Sequence, residues 1–316
     1  MLHRRGWLQV ALLGAAGCAT RSIWAQTHRE PVPVLYPEIA EPFRSVFETI
    51  LNGIDERLAQ RSLRLSVPGQ GDDGTIRAEL LRRRSPVVIA LGKTGLRTAL
   101  AVPGPINIIG GCVIGPTETD TRIASLYSLA PDPGLLLQRL KLLQPAIKRV
   151  HVVYSPGNSA WLVPMAQQAA RSLGLELKAW DADDLRGAVQ RYQEVLGSAQ
   201  AHDALWLPQD TITVEESTVL PLVLREAWNR AIPLFSSNFA HVRRGALFAL
   251  YPNNAGLGHS LGSSALAHLQ SAGTAPRGFM PLRDVHAGLN VRTASHLGID
   301  YNTKLHGGFE TLLPER

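Results

Sequence analysis

Apolar and polar positions alternate along this chain with two periods. Phe43, Val46, Phe47, Ile50, Leu51, Ile54 and Leu58 recur at helical spacing, which predicts a helix over 43–59. Short runs on either side, 33–36 and 63–67, are apolar or alternate with period two and read as strands. The alternation continues with a helix over 75–84 and a fully apolar strand over 86–91. A helix then opens at Gly92-Lys93-Thr94-Gly95, and a strand follows over 106–109. Strands alternating with helices predict a parallel, doubly wound sheet of α/β class. Between 116 and 133 several prolines and polar residues break the pattern, and this stretch is read as the crossover to a second lobe. Beyond it, helices are expected over 135–143, 161–173, 183–196, 215–230, 257–269 and 293–297. Strands are expected over 150–154, 176–179, 204–207, 231–235, 246–251 and about 284–289. Two similar α/β lobes imply a cleft between them, a usual place for a small ligand.

The unit over 149–174 is the most informative. Val150 to Tyr154 is a β-branched strand, and Ser155-Pro156-Gly157-Asn158-Ser159 is dense in turn-forming residues. A helix entered directly from a buried strand turns its free N–H groups toward a cleft, where they suit an anion. An ordinary, well-capped connection accounts for the same residues. Pro164 lies inside the expected helix, so that helix either starts late or has an irregular first turn.

Composition narrows the classes. The chain has 316 residues, 45% hydrophobic and 18% charged, enough for a sizeable core. The net charge is +6, but Arg82-Arg83-Arg84 is the one compact basic run, and it reads as the end of a solvated helix. Nucleic acid is not an expected partner. Two cysteines exclude a disulfide framework. One of them, Cys18, falls in a leader over 1–25, in which Arg4-Arg5 precedes a short apolar run. His3-Arg4-Arg5-Gly6-Trp7-Leu8-Gln9 resembles the twin-arginine export motif, which implies a bacterial protein crossing the inner membrane. Cleavage after Ala25 would release a soluble periplasmic product, the preferred reading. Ala15-Ala16-Gly17-Cys18 as a lipoprotein box would instead anchor the chain through Cys18.

Catalytic motifs are weak. Gly258-His259-Ser260-Leu261-Gly262 matches the G-x-S-x-G elbow, but Ser260 falls within a helical period rather than at a strand end. Gly92-Lys93-Thr94 resembles the end of a phosphate loop, with Val87 where the pattern needs glycine. The histidines lack metal-ligand spacing, so neither a metal nor a cofactor is expected.

Taken together, the chain resembles the periplasmic substrate-binding proteins of ABC transporters, a family that includes tryptophan- and tyrosine-type binders. The matching pieces are RVHVVYSPGNSAW, QQAARSLGLEL, DALWLPQDTITVEES, IPLFSSNFAHVRRGALFALYPNNAGLG and LNVRTASHLGI, in that order. The resemblance implies two Rossmann-like lobes joined by a hinge, a type I periplasmic-binding-protein-like fold. Lobe 1 would comprise 26–125 plus about 248–275, and lobe 2 126–247 plus about 276–316. It implies a non-enzymatic function: binding a small, possibly amino-acid-like solute, then docking on an ABC permease in the inner membrane. Asn158 and Ser159 would hold a ligand carboxylate, and Asp210 a ligand ammonium group. Ser236, Ser237 and Asn238 would face the cleft, with Gly92 and Thr94 opposite and Tyr36 covering the ligand. Other readings stay open: Asp210 as a helix cap, Ser236 to Asn238 as a plain loop, Tyr36 as core. For function, the alternatives are a ligand-sensing partner of a membrane receptor and a serine hydrolase using Ser260.

Overall fold

A computed structural model describes residues 30–69, 73–116, 121–270, 275–300 and 308–314. The expected leader, with Cys18, lies outside the described residues. The chain begins with β1 (Val32–Pro37), α1 (Phe43–Arg57), β2 (Ser62–Val67), α2 (Gly74–Arg83), β3 (Val87–Leu91), α3 (Gly92–Leu100), β4 (Asn107–Val113) and β5 (Ile123–Pro131). Next come α4 (Pro133–Leu143), β6 (Arg149–Tyr154), α5 (Pro156–Ser159), α6 (Leu162–Ser172), β7 (Glu176–Asp181), α7 (Leu185–Ser198), β8 (Asp203–Leu207) and α8 (Val219–Asn229). The last are β9 (Leu234–Ser236), α9 (Ala240–Arg243), β10 (Phe248–Pro252), α10 (Asn254–Gln270), β11 (Gly278–Leu282), β12 (Val285–Asn290), α11 (Val291–His296) and β13 (Thr311–Leu313).

These strands make two sheets, and the α/β class expected from the sequence holds. The first runs β11-β5-β4-β3-β1-β2 and the second β13-β12-β10-β9-β8-β6-β7. Every pairing is parallel except β10 with β12. Parallel strands bury both faces, and each sheet accordingly has an apolar cluster on either side. In the first half α1 and α10 cover one face, where Ile50, Ile54, Leu257 and Leu261 meet the side chains of β1 and β3. Leu80, Leu96 and Ala99 cover the other face.

The halves divide differently from the expected boundaries. β5 pairs with β4, so the chain leaves the first sheet at Asp132 rather than near 125. β10 belongs to the second sheet, between β9 and β12, and β11 joins the first as a parallel neighbour of β5. The expected boundaries put the residues of both strands in the opposite lobe. Pro164 is accommodated by a break: α5 ends at Ser159 and α6 begins at Leu162. Pro164 then stands in the first turn of α6, where no intrahelical donor is lost.

Three segments pass between the sheets, after β5, after β10 and between β11 and β12, and they are bonded to one another. Asp132 N–H donates to Leu282 O at 2.8 Å and Asn253 N–H to Asp284 O at 2.9 Å. Arg283 Nη1 donates to Asp132 Oδ2 at 2.5 Å, and the Ser260 hydroxyl donates to Asp284 Oδ2 at 2.6 Å. Ser260 thus ties α10 to a crossing segment. Ser260→Ala is expected to lower Tm by a few degrees, for the loss of about 1 kcal/mol. A differential scanning trace that superimposes on the parent's would show this bond to be dispensable.

Candidate functional site

The carboxyl ends of the parallel strands of both sheets meet at a cleft of about 440 Å³. That is where open α/β sheets present loops and helix starts to ligands. The first half contributes Lys93 at the start of α3, the run from Cys112 to Pro116 ending β4, and Leu129 of β5. The second half contributes Gly157 and Asn158 of α5, with Gln209 and Thr211 after β8. The two halves come close beside Gly115. A β-carbon there would stand 3.4 Å from the Asn158 carbonyl oxygen and 3.8 Å from Trp161 Nε1. The Trp161 ring meets Phe279 of β11 edge-on at 4.4 Å between centroids, a further contact across the halves.

Beneath the α5 wall lies Asp210, only 4% exposed. Its Oδ2 accepts from Ser155 N–H and from the Ser159 hydroxyl, each at 2.8 Å. Its Oδ1 accepts from the N–H groups of Ile212 at 3.0 Å and Thr213 at 3.1 Å, and at 3.4 Å from the Asn158 amide. Burial alone would raise this carboxyl's pKa. The N–H groups of Ser155, Thr213 and Ile212, with the Ser159 hydroxyl, outweigh it and hold the group below its ordinary value. The carboxylate is therefore ionised and saturated by protein donors. It fastens the β6–α5 turn to the β8 loop instead of facing the cleft, a correction to the ammonium-binding role. Asp210 does not cap the following helix either, which starts at Val219; its bonds to the Ile212 and Thr213 N–H groups close the turn over 211–214.

Other expected site residues are also engaged internally. The Ser236 hydroxyl is fully buried, sharing a 2.8 Å hydrogen bond with His241 Nδ1 and accepting from Asn238 N–H at 3.0 Å. Burial, aided by the nearby Arg244 charge, pushes His241 down to about 4, so this imidazole is neutral at physiological pH. Ser237 accepts from Trp206 Nε1 at 3.0 Å, and the Asn238 side chain caps α9 through Ala240 N–H. These three side chains shape the end of β9 and do not line the cleft. Tyr36 is half-buried and packs against the first half's core. Of the nine candidates, Asn158 lines the cleft, while Gly92 and Thr94 flank Lys93, which does. Gly92 has φ +68°, the left-handed region open to glycine, and it turns β3 directly into α3.

The lining residues missed from the sequence are neighbours of those named. Lys93 lies between Gly92 and Thr94, and Gln209 and Thr211 bracket Asp210. Consecutive side chains at a strand end diverge, so a correct loop yields the wrong side chain when read one position off. Cys112 also lines the cleft, and burial pushes its thiol up to about 12, leaving it a protonated, weakly polar wall. The serine-elbow geometry is absent. Ser260 lies within α10 with its hydroxyl on Asp284, and the adjacent His259 pairs with Glu56 at 2.8 Å. Among the described residues, no group of three or more His, Cys, Asp or Glu is placed to hold a metal ion.

A family model described as ABC transporter substrate binding protein matches residues 136–307. Curated protein sequences give no match. Among solved structures, the chain is similar to the ligand-free, open structure of CD0873 from Clostridium difficile, a substrate binding protein with adhesive properties. Its TM-score is 0.60 at 17% identity, covering 89% of this chain and 98% of that one. It is also similar to a conserved domain protein from Vibrio cholerae, with TM-score 0.54, 15% identity, and coverage of 90% and 100%. A third is an ABC domain from Streptococcus pneumonia in complex with L-Trp, with TM-score 0.52, 17% identity, and coverage of 89% and 100%. At these identities the likeness is one of fold.

Proposed function

The chain belongs to the ABC transporter substrate binding protein family, and we propose that it is the exported, periplasmic solute-binding component of an uptake system of that type. The observation that carries this reading is the 440 Å³ cleft, lined from both halves at the carboxyl ends of their strands. The halves are linked by three crossing segments, an arrangement suited to opening and closing about a hinge. A solute touching Asn158, Gln209 and Thr211 on one side and Lys93, Ile114 and Leu129 on the other favours the closed state, because only there are both sets of contacts made. Closure would then present a surface to a membrane permease. Among the described residues no helix is long and apolar enough to cross a membrane.

Of the residues singled out in the sequence, Asn158 touches the solute in this reading, and Gly92 and Thr94 flank the contacting Lys93. Ser159, Asp210, Ser236, Ser237 and Asn238 support the wall from behind. The test is thermal shift of the purified chain against a broad panel of amino acids, amines, organic acids, sugars and nucleosides. A ligand present at a hundred times its Kd adds about 2.7 kcal/mol, so a true solute is expected to raise Tm by about 5–10 °C. A panel without a single stabilising compound would count decisively against solute capture.

A further inference from the structure

We infer that the cleft selects a small organic acid with an apolar body and no ammonium group, its carboxylate paired with Lys93. This rests on the solute-capture reading and concerns the chemistry of that same site. Among the described lining residues, Lys93 carries the one ionic charge. It is exposed at the start of α3, on a flexible stem that can swing onto a ligand anion as a compact point charge. Asn158, Gln209 and Thr211 line the opposite side and offer neutral amide and hydroxyl groups to the rest of the polar end. Val113, Ile114 and Leu129 give the cleft its apolar surface.

The argument against an ammonium group is equally local. A cation withdrawn from water needs an anion or several well-placed acceptors in contact with it. Asp210 is a carboxylate behind the α5 wall, and its two oxygens already accept from five donors of the protein. At 4% exposure it cannot touch a solute in the cleft without breaking those bonds. Among the described lining residues an amino acid would therefore meet Lys93 with its carboxylate and find no anionic partner for its ammonium, beside a cation of like charge.

The test classifies the stabilising compounds of the panel by charge and titrates matched sets calorimetrically. One set is 3-phenylpropionate, phenylalanine and 2-phenylethylamine; a second is 4-methylpentanoate, leucine and isopentylamine. Acids lacking the amino group are expected to bind at least about tenfold more tightly than the amino acids, and amines not at all. Lys93→Met should weaken the best acid at least about tenfold, Lys93→Arg should restore most of that affinity, and added salt should weaken binding to the parent but not to the Met variant. Hits that are amines, amino acids or sugars, or an acid whose affinity ignores Lys93→Met, overturn this inference and leave solute capture standing. A panel without any hit overturns solute capture and this inference with it.

Discussion

Gly258→Val is expected to lower Tm by about 6–12 °C, because it forces apart two helices whose backbones touch. A β-carbon at Gly258 would collide with the Ile50 carbonyl oxygen and stand 3.0 Å from both Gly53 Cα and Ile54 N. At Gly53 it would collide with the Ala255 carbonyl, and at Gly262 it would come within 2.8 Å of Arg57 Cβ. The atoms met at Gly258 are backbone, so no rotamer change relieves the contact. α1 and α10 must separate, loosening Leu257, Leu261, Ile50 and Ile54, each at most 1% exposed. Overpacking of this kind costs about 3 kcal/mol at the upper end of its usual range, and each kcal/mol moves Tm by about 2–4 °C in a domain of a few hundred residues. Gly197→Ala is the control. It lies in α7 with no atom within 4 Å of its missing β-carbon, and is expected to stabilise by about 0.5–1 kcal/mol. A Gly258→Val variant that melts with the parent would show that the helices can part freely.

The same glycines show how far the sequence could be read. Gly258 and Gly262 sit one helical turn apart and match a hydrolase motif by letters alone, whereas their function is close helix packing. The period of Leu257, Leu261 and Ala265 already placed them in a helix, and period outweighed motif. Strand–helix alternation was equally legible from 33 to 109, since buried parallel strands such as Val87–Leu91 are unbroken apolar runs. It failed at β5 and β11. β5 carries Ser125 and Ser128, both buried, and ends in Pro131; β11 has Pro281 within it. Buried serines are tolerated there because their hydroxyls donate to the Pro276 and Ile114 carbonyls, partners from distant or adjacent segments that no local pattern announces. The lobe boundaries followed from those two strands and shifted with them. At the site, the loops were legible and the side chains were not. Asp210 and Lys93 are both charged residues near strand ends, and only the tertiary hydrogen bonds decide which one lines the cleft.

Asp210→Ala is expected to destabilise the chain by about 3 kcal/mol at neutral pH, with a Tm lower by about 6–12 °C. The loss leaves the N–H groups of Ser155, Ile212 and Thr213 and the Ser159 hydroxyl without their acceptor, in a wall that is almost wholly buried. The pH dependence distinguishes this from a cavity effect. The folded-state carboxyl lies below its ordinary value of 3.8 because those donors stabilise its charge. Its contribution is therefore fully present above the unfolded value and is lost as pH falls through the folded one. Parent and Asp210→Ala melting temperatures should differ most at neutral pH and draw together as pH falls through the lowered folded-state value of Asp210, whereas a gap due to lost volume alone would persist at every pH. Asp210→Asn keeps the volume and one acceptor oxygen but removes the charge, and should fall between the two. If Asp210→Ala instead melted with the parent at neutral pH and lost only solute affinity, the carboxylate would be a ligand contact. The preference for acids without an ammonium group would then lose its strongest support, because an anion able to receive that group would line the cleft after all.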